Sequence, residues 1–128
     1  MVGMRKKVLV VDDEEDIRLT VGQILEAGGY DVISAENGWE CLEKLECEQP
    51  DLVILDIMMP GISGWDVAAR IKDHAQWSRI PIVFLTAKGD DMSVCMGGLA
   101  SEEYIVKPFD VVKLKASIDR ILSNANNV

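Results

Sequence analysis

The chain has 128 residues, a length that fits one domain with one sizeable core. Apolar residues at 48% and charged residues at 27% describe a folded globular chain rather than a disordered one. Lys and Arg total 13 against 22 Asp and Glu, and the resulting net charge of −9 argues against nucleic acid and anionic membrane as direct partners, since both are polyanions. The apolar runs Val8 to Val11 and Leu52 to Leu55 are four residues long, too short for a membrane span or a signal-peptide core, so a cytosolic protein is expected. Cys41, Cys47 and Cys95 are odd in number and lack C-x-x-C spacing, so they read as small core or surface residues, not as a disulfide frame or a zinc site.

Along the chain, short apolar runs alternate with stretches of helical period. Strands are expected at Val8–Val11, Val32–Ala35, Leu52–Leu55, Ile82–Leu85 and Tyr104–Val106. After the first strand, Ile17, Val21, Ile24 and Leu25 share one helix face, and Gly28-Gly29 stops that helix. Cys41, Leu42 and Leu45 mark a second helix that ends before Pro50, and Trp65, Ala68 and Ile71 mark a third. A weak fourth helix is expected from Asp91 to Gly97, and Val111, Leu114, Ile118, Ile121 and Leu122 mark a clear last one. Residues 1–5 read as a lead, 6–122 as the domain and 123–128 as a frayed tail. A βα unit repeated five times implies an α/β fold, a parallel sheet covered by helices on both faces. The strand order 2-1-3-4-5 is carried over from known doubly wound sheets with five strands.

Ligands of such sheets bind outside the carboxyl ends of the strands, so the residue that follows each strand carries the information. Asp12 and Asp13 follow the first strand, Asp56 the third, Thr86 and Ala87 the fourth, and Lys107 and Pro108 the fifth. With strands 1 and 3 adjacent, the three aspartates converge, and Thr86 and Lys107 close the crevice. Two unit charges ~4 Å apart repel by on the order of 4 kcal/mol at the effective dielectric of a partly buried site. Such a cluster must protonate, recruit a cation or hold a lysine close. A hard divalent ion such as Mg²⁺ suits an oxygen-rich site that Lys107 has only partly neutralised. An aspartate there can itself accept a phosphoryl group.

The stretches KKVLVVDDEED, PDLVILDIMMPGISGWD, IPIVFLTAK and YIVKPFD, in that order and at βα spacing, resemble the receiver domain of two-component response regulators. The resemblance runs from about Lys6 to Leu122 and is to single-domain chemotaxis and phosphorelay regulators, with a flavodoxin-like, CheY-like fold. It implies Asp56 as phosphoacceptor from a partner's phosphohistidine. It implies a Mg²⁺ (or Mn²⁺) site made directly by Asp13, Asp56 and the main-chain carbonyl of Met58, with Asp12 acting through water. Lys107 would pair with Asp56 and then with a phosphoryl oxygen, and the Lys107–Pro108 bond would be cis. Thr86 would turn its hydroxyl to the phosphoryl group, and Tyr104 would be the aromatic switch. Met58 and Lys88 lie where the family tunes phosphoryl lifetime, and Gly97 to Ser101 form a slightly irregular entry to the fifth strand. The partners implied are a sensor histidine kinase or histidine phosphotransfer protein and a separate effector. The resemblance suggests a stand-alone regulator rather than a metabolic enzyme, and a monomer, or a dimer through the face of the fourth helix, last strand and last helix when phosphorylated.

Taken singly, these residues have plainer readings. Asp13 suits a helix N-cap, with Glu14, Glu15 and Asp16 favouring the helix dipole. Asp12 suits a solvated strand end, Asp56 the start of a turn before Pro60-Gly61, and Lys107 a surface lysine. It is their convergence on one edge that favours chemistry. His74, the only histidine, reads as solvated surface, so the phosphohistidine must come from another protein. Trp65 reads as core, whereas Trp39 and Trp77 suit either packing or docking. Three rivals remain. A haloacid-dehalogenase-like phosphatase would want two aspartates separated by one residue, and a longer chain. A flavin carrier would want a Ser/Thr/Gly-rich first loop where Asp12 to Asp16 are all acidic. A phosphorylation-independent docking module would lack one of the site residues.

Overall fold

The structure, a computed structural model, describes residues 5–87 and 103–126. The elements are β1 (Lys7–Val11), α1 (Glu15–Ala27), β2 (Asp31–Ala35), α2 (Gly38–Glu48), β3 (Leu52–Asp56), α3 (Gly64–Asp73), β4 (Ile82–Ala87), β5 (Glu103–Lys107) and α4 (Val111–Asn126). The expected helix from Asp91 to Gly97, together with Lys88, Cys95 and the Gly97 to Ser101 stretch, lies outside the described residues.

The strands form one parallel sheet in the order β2-β1-β3-β4-β5. Every residue of β3, the middle strand, is buried, which explains why it reads as a continuous apolar run. Alternate residues serve opposite faces. Leu9, Val11, Val53, Leu55, Ile82 and Phe84 pack against α2 and α3 through Cys41, Leu45, Val67, Ala68 and Ile71. Val8, Val10, Leu52, Ile54, Val83 and Leu85 pack against α1 and α4 through Val21, Leu25, Leu114, Ile118 and Leu122. The Tyr30 hydroxyl donates to Asp119, which also receives Lys115 at 2.7 Å, and this ties the entry to β2 to α4.

Helix ends follow local chemistry with two corrections. Asn37 accepts from Glu40 N at 2.8 Å to cap α2, Ser63 accepts from Asp66 N at 3.2 Å to cap α3, and Asp110 Oδ1 accepts from Val112 N at 2.8 Å at the start of α4. At α1 the cap position belongs to Glu14, with no side-chain cap bond, so the N-cap reading of Asp13 is replaced. The turn is closed instead by Asp12, whose Oδ1 accepts from Glu14 N at 2.9 Å, and this leaves Asp13 exposed. The second correction concerns the tail: α4 continues to Asn126, so residues 123–126 extend the helix where fraying was expected. Gly29, at φ 97°, supplies the left-handed turn after α1.

Leu25→Ala, on the α1 and α4 face, is expected to cost about 2–5 kcal/mol of stability because it empties a fully buried position. Urea unfolding reads this as a lowered midpoint with an unchanged slope. A change under 1 kcal/mol would show that this face is loosely packed.

Candidate functional site

Parallel register brings the site together. Val11 pairs with Leu55 between β1 and β3, so Asp12 and Asp56 lie one step further along adjacent strands. Asp56 pairs with Leu85, which places Thr86 one step beyond, and Ala87 pairs with Lys107. Asp12, Asp13 and Asp56 each offer a carboxylate oxygen within 4.8 Å of the others. Asp12 and Asp56 are buried and Asp13 is exposed, so the cluster has a solvent side.

Lys107 is the cation in this cluster. Its Nζ stands 2.8 Å from Asp12 Oδ2 and 3.6 Å from Asp56 Oδ1. Burial alone would lower the Lys107 ammonium. The hydrogen bond to Asp12 and the charges of Asp12, Asp56 and Glu14 outweigh burial and hold it above the ordinary lysine value. Asp56 is pushed up to about 7, first by burial and then by the charge of Asp12, with Asp13 adding to it. Lys107 and the Met58 N–H, which donates to Asp56 Oδ1 at 3.3 Å, oppose that rise without cancelling it. Among the described residues, the site therefore carries more negative charge than Lys107 offsets. All its donor atoms are carboxylate oxygens, the set that a hard cation such as Mg²⁺ prefers.

The remaining sequence candidates fall around this core. Thr86 is buried, and its hydroxyl donates to the Ala87 carbonyl at 3.4 Å. Tyr104 is partly buried, with its ring stacked 5.2 Å from Phe84 and tilted 6.3 Å from Trp65. The Met58 side chain is 66% exposed at the mouth, and the Lys107–Pro108 bond is cis. Trp65 packs on Phe84 at 4.9 Å, as its core reading requires. His74 departs from the solvated reading: it is half-buried at the end of α3, stacks on Trp77 at 3.7 Å and accepts from Gln76 N at 3.1 Å. Trp77 is thus a packing residue. Trp39 is 55% exposed beneath the Arg70 guanidinium, 5.2 Å from its ring. Burial pushes the Cys41 thiol up to about 12, as befits a core residue, while Cys47 is exposed.

Three contributors escaped the sequence reading. Glu14 brings a further carboxylate to 3.6 Å from Lys107. Arg18 donates to the Asp12 carbonyl at 2.6 Å. Gly64 lets the start of α3 lie against the acceptor strand, since a Cβ there would meet the Asp56 carbonyl oxygen at 2.2 Å. Its N–H also donates to the Ile57 carbonyl at 2.8 Å. A Gly eight residues after the aspartate is the visible signal of that approach.

Residues 8–119 match the family model described as the response regulator receiver domain. The chain belongs to that family. Receivers of this kind are the signal-accepting parts of two-component systems. This receiver is 42% identical over 120 residues to the alkaline phosphatase synthesis transcriptional regulatory protein PhoP of Bacillus subtilis, covering 93% of this chain and 49% of PhoP. It is 39% identical over 123 residues to the phosphate regulon transcriptional regulatory protein PhoB of Pseudomonas aeruginosa, covering 95% of this chain and 53% of PhoB. The chain thus spans about half the length of the curated relatives it matches. Among solved structures it resembles chemotaxis protein CheY4 of Vibrio cholerae, with TM-score 0.84 and 28% identity over 91% of this chain and 98% of that one. It also resembles the receiver domain of a signal transduction histidine kinase from Syntrophus aciditrophicus, with TM-score 0.89 and 28% identity over 96% and 94%. Among the described residues, no helix of the receiver is long and apolar enough to cross a membrane.

The raised Asp56 value has a definite consequence for stability. Between its ordinary value of 3.8 and about 7, folded Asp56 holds a proton that the unfolded chain has released. Its contribution therefore falls as pH rises through that window. In metal-free buffer, stability should drop between those limits by on the order of 4 kcal/mol, and Asp56→Asn should remove that part of the slope. Urea midpoints measured across the window test this. Parallel curves for wild type and variant would refute the assignment.

Proposed function

We propose that Asp56 accepts a phosphoryl group from the phosphohistidine of a sensor histidine kinase or histidine phosphotransfer protein. A carboxylate oxygen of Asp56 attacks phosphorus, the phosphorus–nitrogen bond breaks, and the imidazole leaves with the bonding pair. The observation that carries this reading is the buried Asp56 beside Asp12, Asp13 and Lys107. The matched receiver family supports it.

Asp13, Asp56 and the Met58 carbonyl would hold Mg²⁺ or Mn²⁺ directly, with Asp12 reached through water. The bound ion would supply positive charge to the oxygens of the transferring phosphoryl group. Lys107, now shared between Asp12 and Asp56, turns to a phosphoryl oxygen, and the Thr86 hydroxyl donates to another. A bound cation would favour the ionised form of Asp56, and phosphorylation then adds about one charge and new acceptor oxygens. Thr86 and Lys107 satisfy those oxygens in one arrangement only, so the added group biases the conformation that Tyr104 shares. Attack of water on phosphorus breaks its bond to the Asp56 oxygen, releases inorganic phosphate and returns the carboxylate, which resets the site. The product is a conformational signal, so the chain is a switch rather than a metabolic enzyme.

In this reading the receiver works in the cytoplasm, as a monomer or as a dimer when phosphorylated, and a separate protein reads its state. The net charge of −9 supports a receiver that does not itself hold nucleic acid. The names of the longer PhoP and PhoB relatives favour a second reading, with output through transcription control.

Intact-protein mass spectrometry after incubation with Mg²⁺ and acetyl phosphate tests the chemistry. One phosphoryl adduct is expected, lost with a chelator and lost in Asp56→Asn. An adduct that persists in Asp56→Asn would remove Asp56 as acceptor, and no adduct from either acetyl phosphate or a phosphohistidine donor would favour a phosphorylation-independent docking module.

A further inference from the structure

We infer that Arg18 is a positioning residue of the acidic site, holding the turn after β1 so that Asp12 and Asp13 face Asp56. The inference rests on the metal-assisted phosphoacceptor reading above. Asp12, Asp13, Glu14, Glu15 and Asp16 are consecutive acids, and their mutual repulsion opposes a compact turn. The N-cap of α1 supplies no side-chain bond against it. The turn is closed at Asp12 instead.

Asp12 is tied at four atoms. Its N–H donates to the Ala35 carbonyl at 3.2 Å, and its Oδ1 accepts from Glu14 N at 2.9 Å. Its Oδ2 meets Lys107 Nζ at 2.8 Å, and its main-chain oxygen accepts from Arg18 Nη1 at 2.6 Å. The last of these reaches back from within α1 and fixes the peptide group that joins Asp12 to Asp13. The guanidinium is planar and rigid, so this bond from Nη1 fixes direction as well as distance. Asp13 follows that peptide and is carried with it towards Asp56.

The charge of Arg18 acts in the opposite sense. A cation beside carboxylates opposes the arrival of a second cation. Positioning and charge therefore predict opposite changes in metal affinity when Arg18 is replaced, and this makes the inference testable.

Calorimetric Mg²⁺ titration of the full chain, wild type, Arg18→Met and Arg18→Lys, provides the test, with urea unfolding in chelator confirming that each variant folds. Arg18→Met should weaken Mg²⁺ binding about tenfold or more, the size usual when a residue that supports a metal ligand is lost. Arg18→Lys keeps the charge but loses the rigid planar group and should fall between. Equal or tighter binding by folded Arg18→Met would overturn the positioning role and leave the phosphoacceptor reading in place. Absence of Mg²⁺ binding in the wild type would overturn both. If Arg18→Met does not fold, Arg18→Lys decides: weaker binding supports the role, and unchanged binding overturns it.

Discussion

Lys107 stands between Asp12 and Asp56, and Asp13 completes a set of carboxylates that this one ammonium does not neutralise. Asp12 and Asp13 follow β1, Asp56 ends β3 and Lys107 ends β5, so the charge cluster exists only while the parallel register of β1, β3, β4 and β5 holds. Hydrophobic burial supplies that register. The alternation of β1 and β3 sends one set of side chains to α2 and α3 and the other to α1 and α4, and a slip by one residue would exchange the two. The core thus acts as the spring that holds like charges together. The raised Asp56 value expresses burial first, and after it the repulsion of Asp12 and Asp13. In the proposed function, a cation and a phosphoryl group with its own partners would relieve the site in different ways, and that difference would be the basis of a switch.

Under the proposed function, the surroundings would carry the change outward. Gly64 sits against the main chain of Asp56, and the next residue, Trp65, packs on Phe84 of β4, on which Tyr104 of β5 also stacks. A shift in the turn after β3 therefore meets a continuous row of rings that ends at the strand preceding Lys107. Aromatic rings in such contact transmit displacement because packed interiors have few voids to absorb it.

Much of this was legible in the sequence, for physical reasons. Asp12, Asp56, Thr86 and Lys107 each directly follow or end an apolar run, and such runs are strands when both faces of a sheet are covered. The strand order had to be carried over from known folds, because nothing in a strand's own residues states its neighbour. The plainer reading of Asp13 as a cap fails because Asp and Glu at helix starts share the same local signal: the cap position falls to Glu14, and Asp12 closes the turn before it. His74 was read as solvated because stacking on Trp77 depends on the bend after α3. Arg18 left no pattern, since it bonds a backbone carbonyl, and Gly64 left only a glycine eight residues after Asp56, whose role is defined by what would clash with a side chain there.

The account holds that Asp12, Asp13 and Asp56 form one cation site held together against repulsion. Unfolding of the wild type and of Asp13→Ala across a series of Mg²⁺ concentrations tests it most directly. The account predicts that Mg²⁺ stabilises the wild type by about 2.7 kcal/mol at a hundred times its dissociation constant, the size set by mass action. It predicts little or no Mg²⁺ stabilisation at the same concentrations in Asp13→Ala, together with a more stable metal-free protein because one repelling charge is gone. Equal Mg²⁺ stabilisation of both proteins would show that the ion binds elsewhere and would contradict the account.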